Sequence, residues 1–128
     1  MNTDDLMYYY KAVVRPVLEY GCALWHSSLT QEQKHRLDSV QRRAIRIIGC
    51  TEMEKTKLSP LRDRRNEQAR CLFHRIQDPK NCIHSMLPPQ RDIQTDRLRH
   101  IPSYPIPFAR TERYRRSFLV NSLSHYQI

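Results

Sequence analysis

The chain has 128 residues, which is room for one small domain. Its formal net charge is +9, 39% of its residues are hydrophobic and its mean hydropathy is −0.75, so no apolar run approaches the roughly 18 residues of a membrane span. It has only two glycines, which excludes glycine-rich loops that bind nucleotide phosphates. The start, MNTDD, is acidic, so we expect no secretory signal and four reduced cysteines in an intracellular protein, nuclear or cytoplasmic.

Positive charge increases along the chain. The net charge is −1 over residues 1–29, +3 over 30–58 and +7 over 59–128. This gradient indicates a polyanionic partner, for which nucleic acid is the first candidate. An arginine-rich surface that only keeps the chain in solution is the alternative.

The first predicted helix runs from Asp4 to about Tyr20, with acidic residues in its first turn. Pro16 lacks an N–H and its ring meets the carbonyl of Ala12, so we expect a kink there. The predicted apolar face consists of Leu6, Tyr10, Val13, Val14 and Val17, and the opposite face of Lys11, Arg15 and Glu19.

A short segment with large side chains follows this helix. Gly21 either ends the helix or lies within a longer one that reaches Trp25. We interpret Trp25, the single tryptophan, as a core residue between helices in preference to a stacking platform.

The second predicted helix has the clearest boundaries. Thr30 and Gln33 have the spacing of a capping box, and Gly49 supplies a C-terminal stop. The predicted apolar stripe consists of Leu37, Val40, Ala44, Ile47 and Ile48. The opposite face carries the candidate phosphate-binding residues His35, Arg42, Arg43 and Arg46. An ordinary solvated face is the alternative.

Ser59 and Pro60 predict the start of a third helix, with Ser59 as the cap, which ends near Gln77. Its first half is polar almost all round, and apolar spacing resumes at Ala69, Leu72, Phe73 and Ile76. One further turn, capped by Asn81, precedes Pro88 and Pro89. We therefore predict an all-α fold with a small three-helix body over residues 1–87.

Five of the eight prolines lie in residues 88–110, which predicts an extended, partly disordered connector. Residues 111–128 are expected to form a short basic C-terminal helix that Thr111 caps. Its side chains predicted to dock on the body are Tyr114, Phe118 and Leu119.

The sequence offers little for catalysis or cofactor binding. No hydrolase or metalloprotease motif is present, and helix capping explains the adjacent Asp4 and Asp5. We therefore expect neither an enzyme nor a bound cofactor. Four potential zinc ligands, Cys71, His74, Cys82 and His84, lie within fourteen residues. Their C-x2-H-x7-C-x-H spacing fits no common zinc motif and buried cysteines are an alternative, so no metal site is assigned.

Residues 10–48 resemble the segment that follows the polymerase core in reverse transcriptases of non-LTR (LINE-type) retrotransposons. The family pattern is roughly R-P-x-L-E-Y, then W and L-T, then L-x-x-V-Q-x-R-A-x-R-x-I. The matching residues are Arg15, Pro16, Leu18, Glu19, Tyr20, Trp25, Leu29, Thr30, Leu37, Val40, Gln41, Arg43, Ala44, Arg46 and Ile48. Looser similarity to the family's C-terminus continues after residue 60.

The resemblance implies a thumb-like helical region with a C-terminal extension, in which Arg42, Arg43 and Arg46 face the phosphates of a primer–template duplex. The family's Tyr-x-Asp-Asp motif is missing from these 128 residues, so the resemblance implies a non-catalytic remnant of a 5′-truncated element that binds RNA or DNA weakly and without sequence preference. Two alternatives stay open. One is a protein-interaction module that binds itself or a partner helix through the surface a palm would cover, and the other is a chain with no selected function.

Overall fold

The computed structural model describes residues 2–49, 58–92 and 102–127, and within these ranges the fold is all-α, as predicted, with no strand. The α-helices are α1 (Thr3–Tyr9), α2 (Arg15–Glu19), α3 (Cys22–Trp25), α4 (Gln31–Ile48), α5 (Leu61–Ile76), α6 (Glu112–Arg115) and α7 (Phe118–His125). A π-helical turn covers Tyr10–Val14, and 3-10 turns cover His26–Ser28 and His84–Met86. Within the described residues, no helix combines the length and apolar character that crossing a membrane requires.

Residues 3–20, which we call the N-terminal path, contain a wide turn shortly before Pro16. The N–H of Arg15 donates to the carbonyl of Tyr10, five residues back, so the turn is π-helical. A wide turn accommodates the proline ring, which explains why the expected kink takes this form. The extra residue also rotates everything that follows it. The predicted faces are therefore wrong in part: Val17 is 74% exposed and Glu19 is buried, whereas Val14 packs against the cluster of Tyr10, Ile48 and Leu58 as expected.

Gly21 ends this path with φ of 61°, a left-handed conformation that favours glycine. Trp25 is only half-buried and belongs to neither core cluster. Its indole Nε1 donates to the carbonyl of Tyr20 at 3.0 Å. The interpretation of Trp25 as a central core residue is therefore wrong, because its own hydrogen bond holds it at the rim of the body.

Helix α4 begins and ends as predicted. The hydroxyl of Thr30 accepts from the N–H of Gln33, the Gln33 side chain accepts in return from the N–H of Thr30, and Gly49 closes the helix with φ of 71°. Its buried face is rotated from the predicted stripe. Ile47 is 70% exposed and Val40 is also exposed, while Gln41 and Ile48 are buried.

Helix α5 begins at Leu61, and no side chain caps it, so the assignment of Ser59 as a cap is wrong. Pro60 occupies the N-cap position, where its missing N–H costs no helical hydrogen bond. The first half of α5, although polar almost all round, has a buried face, because Leu61 and Arg65 are both buried. They continue the buried face that Ala69, Phe73 and Ile76 form.

The C-terminal segment forms two short helices where one was predicted. The hydroxyl of Thr111 accepts from the N–H of Tyr114, as expected of a cap, but α6 ends at Arg115 and α7 begins at Phe118. Part of the predicted connector, residues 93–101, lies outside the described residues. Tyr104, within the rest, is buried.

Two apolar clusters hold the fold together. In the first, Tyr10, Ile48 and Leu58 join the N-terminal path to the end of α4. In the second, Phe73, Tyr104 and Leu123 join α5 to α7. Because α5 runs between the clusters, its polar first half lies against α3 and α4, and the candidate site forms there.

Candidate nucleic-acid interface

The four predicted phosphate-binding residues all lie on the exposed side of α4. His35, Arg42 and Arg46 recur at spacings of seven and four residues, which places them along one line of the helix. Arg43 lies further round, away from α5. The structure thus brings three of the four residues into one stripe.

A groove between α4 and the start of α5 borders this stripe. It encloses about 270 Å³, and its lining includes Arg42 from α4 and Arg62 from α5. Asp38 lies in the same groove and is paired with Arg65, at 3.3 Å between a carboxylate oxygen and a guanidinium nitrogen. Arg62 comes from the first half of α5, which the sequence shows to be polar almost all round and for which no binding role was predicted.

A second cavity, of about 650 Å³, opens on the other side of Arg62. Lys34 from α4, Arg70 from α5 and His125 from α7 contribute to its lining. Arg62 lines both cavities, so they adjoin along the α4–α5 boundary, and we call the two together the basic channel. The carboxylates of Asp63 and Glu67 also line the second cavity, and that of Glu67 is paired with Arg70 at 2.9 Å.

Cations crowd one another around Lys34. Partial burial, followed by the nearby charges of Arg62, Arg116 and Arg65, lowers the pKa of the Lys34 ammonium. A lysine with an acidic partner would shift in the opposite direction. Burial and the repulsion of these arginines therefore act together on the Lys34 ammonium.

Beneath the basic channel lies a polar network centred on Arg65, which is completely buried. Its Nε donates to Nδ1 of His26 at 3.3 Å, and Nε2 of the same imidazole lies 2.7 Å from Oδ1 of Asn66. Burial, together with the charges of Arg65, Lys34 and Arg62, lowers the pKa of His26 despite its bond to Asn66.

Sequence analysis missed Arg65, although a signal was present. Arg65 stands four residues after Leu61 and four before Ala69, so it occupies a core position of the helical repeat. Nη1 of Arg65 has no hydrogen-bond partner among the described residues.

A second ion pair fixes α5 against the N-terminal path. Both carboxylate oxygens of Glu19 accept from Arg64, at 2.5 and 3.0 Å, and Gln68 adds a bond at 3.1 Å. Burial by itself would raise the pKa of Glu19, but the hydrogen bonds and charge of Arg64 hold it below its usual value. This buried pair orients the first half of α5, which carries Arg62 into the basic channel.

The four candidate zinc ligands have separate surroundings. Cys71 and Cys82 are exposed, and Nδ1 of His84 lies 2.8 Å from the carbonyl of Ile76. Across the described parts of the chain, no group of three or more histidine, cysteine, aspartate and glutamate side chains is arranged to hold a metal ion.

Comparison of the chain with protein-family models, with curated proteins and with solved structures gives no match.

Proposed function

We propose that this chain is a non-catalytic, nucleic-acid-binding remnant of a non-LTR retrotransposon reverse transcriptase. It binds the phosphate backbone of RNA or DNA weakly and without sequence preference. The observation that carries the proposal is the basic channel, in which Lys34, Arg62 and Arg42 follow one another along the α4–α5 boundary. The family origin rests on the sequence resemblance over residues 10–48.

The physical argument is that a phosphate backbone supplies the negative charge that the channel lacks. Partial burial, and then repulsion from nearby arginines, already disfavour the charged form of Lys34, and a bound phosphate would oppose both effects. Backbone contacts of this kind release counterions, so the affinity falls steeply with salt.

The test is fluorescence anisotropy of a labelled duplex at about 50 and about 200 mM salt. The triple variant Arg42→Gln, Arg43→Gln, Arg46→Gln removes one cation of the basic channel, Arg42, and two neighbouring cations of the exposed α4 face. It should bind more weakly, and each lost phosphate contact should reduce the salt slope by about 0.9. Its helical circular dichroism should be unchanged, since all three side chains are exposed.

A matched control removes the same charge elsewhere. Arg75, Lys80 and Arg91 are exposed and line neither part of the basic channel, so their triple glutamine variant should keep most of the affinity. Equal losses in the two triple variants would mean that net charge alone drives binding. An unchanged affinity in the α4 variant would overturn its face as the binding surface.

A second candidate function, self-association, is favoured by the exposed apolar side chains of residues 8–24. Val17, Tyr20 and Leu24 all face solvent, as do Tyr8, Tyr9 and Val13. Sedimentation velocity at low and high salt tests this candidate, because apolar association persists at high salt whereas phosphate binding does not. The variant Val17→Ser, Leu24→Ser should then be monomeric.

A further inference from the structure

An aromatic groove lies beside the basic channel. It encloses about 630 Å³ between the His26–Ser28 turn and α6, and its walls include Trp25, Tyr114 and Arg113. Tyr114 is 48% exposed and Trp25 half-buried, so both rings present surface to solvent. The bond from the Trp25 indole to the carbonyl of Tyr20 fixes the edge of the ring.

The two walls of the groove come from opposite ends of the chain and are joined by hydrogen bonds. The hydroxyls of Ser27 and Ser28 both donate to the carbonyl of Arg116, at 2.7 and 3.1 Å. This contact ties the turn after Trp25 to the segment that carries Tyr114. The two aromatic residues are therefore held in place before any ligand arrives.

The aromatic groove and the basic channel open on two sides of the same backbone. Ser27 lines the channel, whereas the next residue, Ser28, lines the groove. Likewise, Lys34 lines the channel and Gln33 lines the groove. A ligand lying across this boundary would meet cations on one side and aromatic rings on the other. A single-stranded polynucleotide has that chemistry, with a charged backbone and flat bases.

We propose that the aromatic groove accepts an unpaired nucleobase of single-stranded RNA or DNA, stacked on Trp25 and Tyr114, while the adjacent phosphates lie against Lys34 and Arg62. This inference rests on the proposed function and extends it to a preference for unpaired bases. The bases of a duplex are already stacked on one another and do not reach the groove. The positive charge of Arg113 beside the rings favours this occupant over a neutral proline-rich peptide.

The single tryptophan makes the test direct. Trp25 fluorescence is followed while the chain is titrated with a thymidine oligonucleotide, with a duplex of equal length and with an abasic strand of equal length. We expect the base-bearing single strand to quench Trp25, whereas the duplex and the abasic strand should bind without quenching.

Two variants locate the stacking site. Tyr114→Ala should weaken single-strand binding about tenfold and leave duplex binding unchanged, and Arg113→Gln should weaken it without a change in helical signal. The control is Phe108→Ala, which removes an exposed aromatic side chain outside the groove and should behave as the wild type.

The outcomes separate this inference from the proposed function. If single strands and duplex bind with salt dependence but neither quenches Trp25, or if Tyr114→Ala binds single strands as the wild type does, the groove is not a base site and the backbone proposal stands. Quenching by a proline-rich peptide but not by the oligonucleotide would also overturn the base site. If nothing binds at low salt, the proposed function fails and this inference fails with it.

Discussion

Nε of the buried Arg65 donates to Nδ1 of His26 across 3.3 Å, which fixes the state of the imidazole. A guanidinium nitrogen can only donate, so Nδ1 must carry no proton. Nε2 then holds the proton and donates it to Oδ1 of Asn66 at 2.7 Å. The hydrogen bond from Arg65 and the burial of the ring therefore both require His26 to be neutral.

The first prediction is that the protein loses stability in mild acid. The pKa of His26 is lowered from 6.5 in the folded chain, so below that pH the unfolded chain takes up a proton that the folded chain excludes. The stability that depends on neutral His26 is complete above pH 6.5. It is lost as the pH falls toward the folded-state pKa of His26, by at most about 1.4 kcal/mol per pH unit.

Thermal unfolding of wild type and His26→Gln at about pH 7.5 and about pH 5.5 checks this prediction. Glutamine can still accept a hydrogen bond from Arg65 but does not titrate, so the melting temperature of the variant should fall less on acidification. The same loss in both proteins would assign the pH dependence to other groups.

The second prediction concerns the ion pair between Glu19 and Arg64. Arg64→Ala leaves a buried carboxylate without its counter-charge and should destabilise the fold by about 3 kcal/mol. Glu19→Ala should cost less, because about a third of the Arg64 side chain is exposed and can regain water. Urea unfolding of both variants measures the difference, and equal costs would contradict the asymmetry.

The pair of Glu19 and Arg64 also makes the stability of the fold depend on pH. Because the folded-state pKa of Glu19 lies below its usual 4.5, the pair stabilises the fold above that pH. The stabilisation is lost as the pH falls through the folded-state pKa. Glu19→Gln should remove this part of the acid sensitivity.

The third prediction compares two adjacent isoleucines of α4. Ile48 is 8% exposed and Ile47 is 70% exposed, so Ile48→Gln should cost about 3 kcal/mol whereas Ile47→Gln should change stability by about 0.5 kcal/mol at most. The sequence pattern placed both in the core. Equal losses in urea unfolding would restore that assignment.

The fourth prediction is that one substitution stabilises the protein while impairing binding. Lys34 is partly buried near three arginines, and these features lower its pKa. Lys34→Gln should therefore raise the melting temperature and weaken nucleic-acid binding, as is common where a binding site concentrates like charge. A lower melting temperature would show that the ammonium stabilises the fold.

The π-helical turn before Pro16 shows where sequence reasoning failed for the fold. A kink was expected because the proline ring acts locally, and the structure has a π-helical turn over Tyr10–Val14. The added residue in the turn then rotated Val17 outward and Glu19 inward. A periodicity counted in steps of 3.6 residues cannot register such an insertion.

The candidate site depends on contacts that no local pattern carries. Trp25 and Tyr114 share a groove although 89 residues separate them. Arg62 joins two parts of one channel because the pair of Glu19 and Arg64 orients α5. The exposure of His35, Arg42, Arg43 and Arg46 did follow from sequence, since all four lie on one helix.

By itself, the sequence determined the all-α character, the two ends of α4 and the exposed arginines of that helix. Each of these depends on groups a few residues apart, such as the hydroxyl of Thr30 with the N–H of Gln33 and the left-handed turn at Gly49. Only the tertiary structure decided which faces are buried, that Arg65 lies inside, and which side chains line the basic channel and the aromatic groove. These features depend on packing between segments that are distant in sequence. There, the burial of apolar side chains and the pairing of buried charges outweigh the local preferences of each residue.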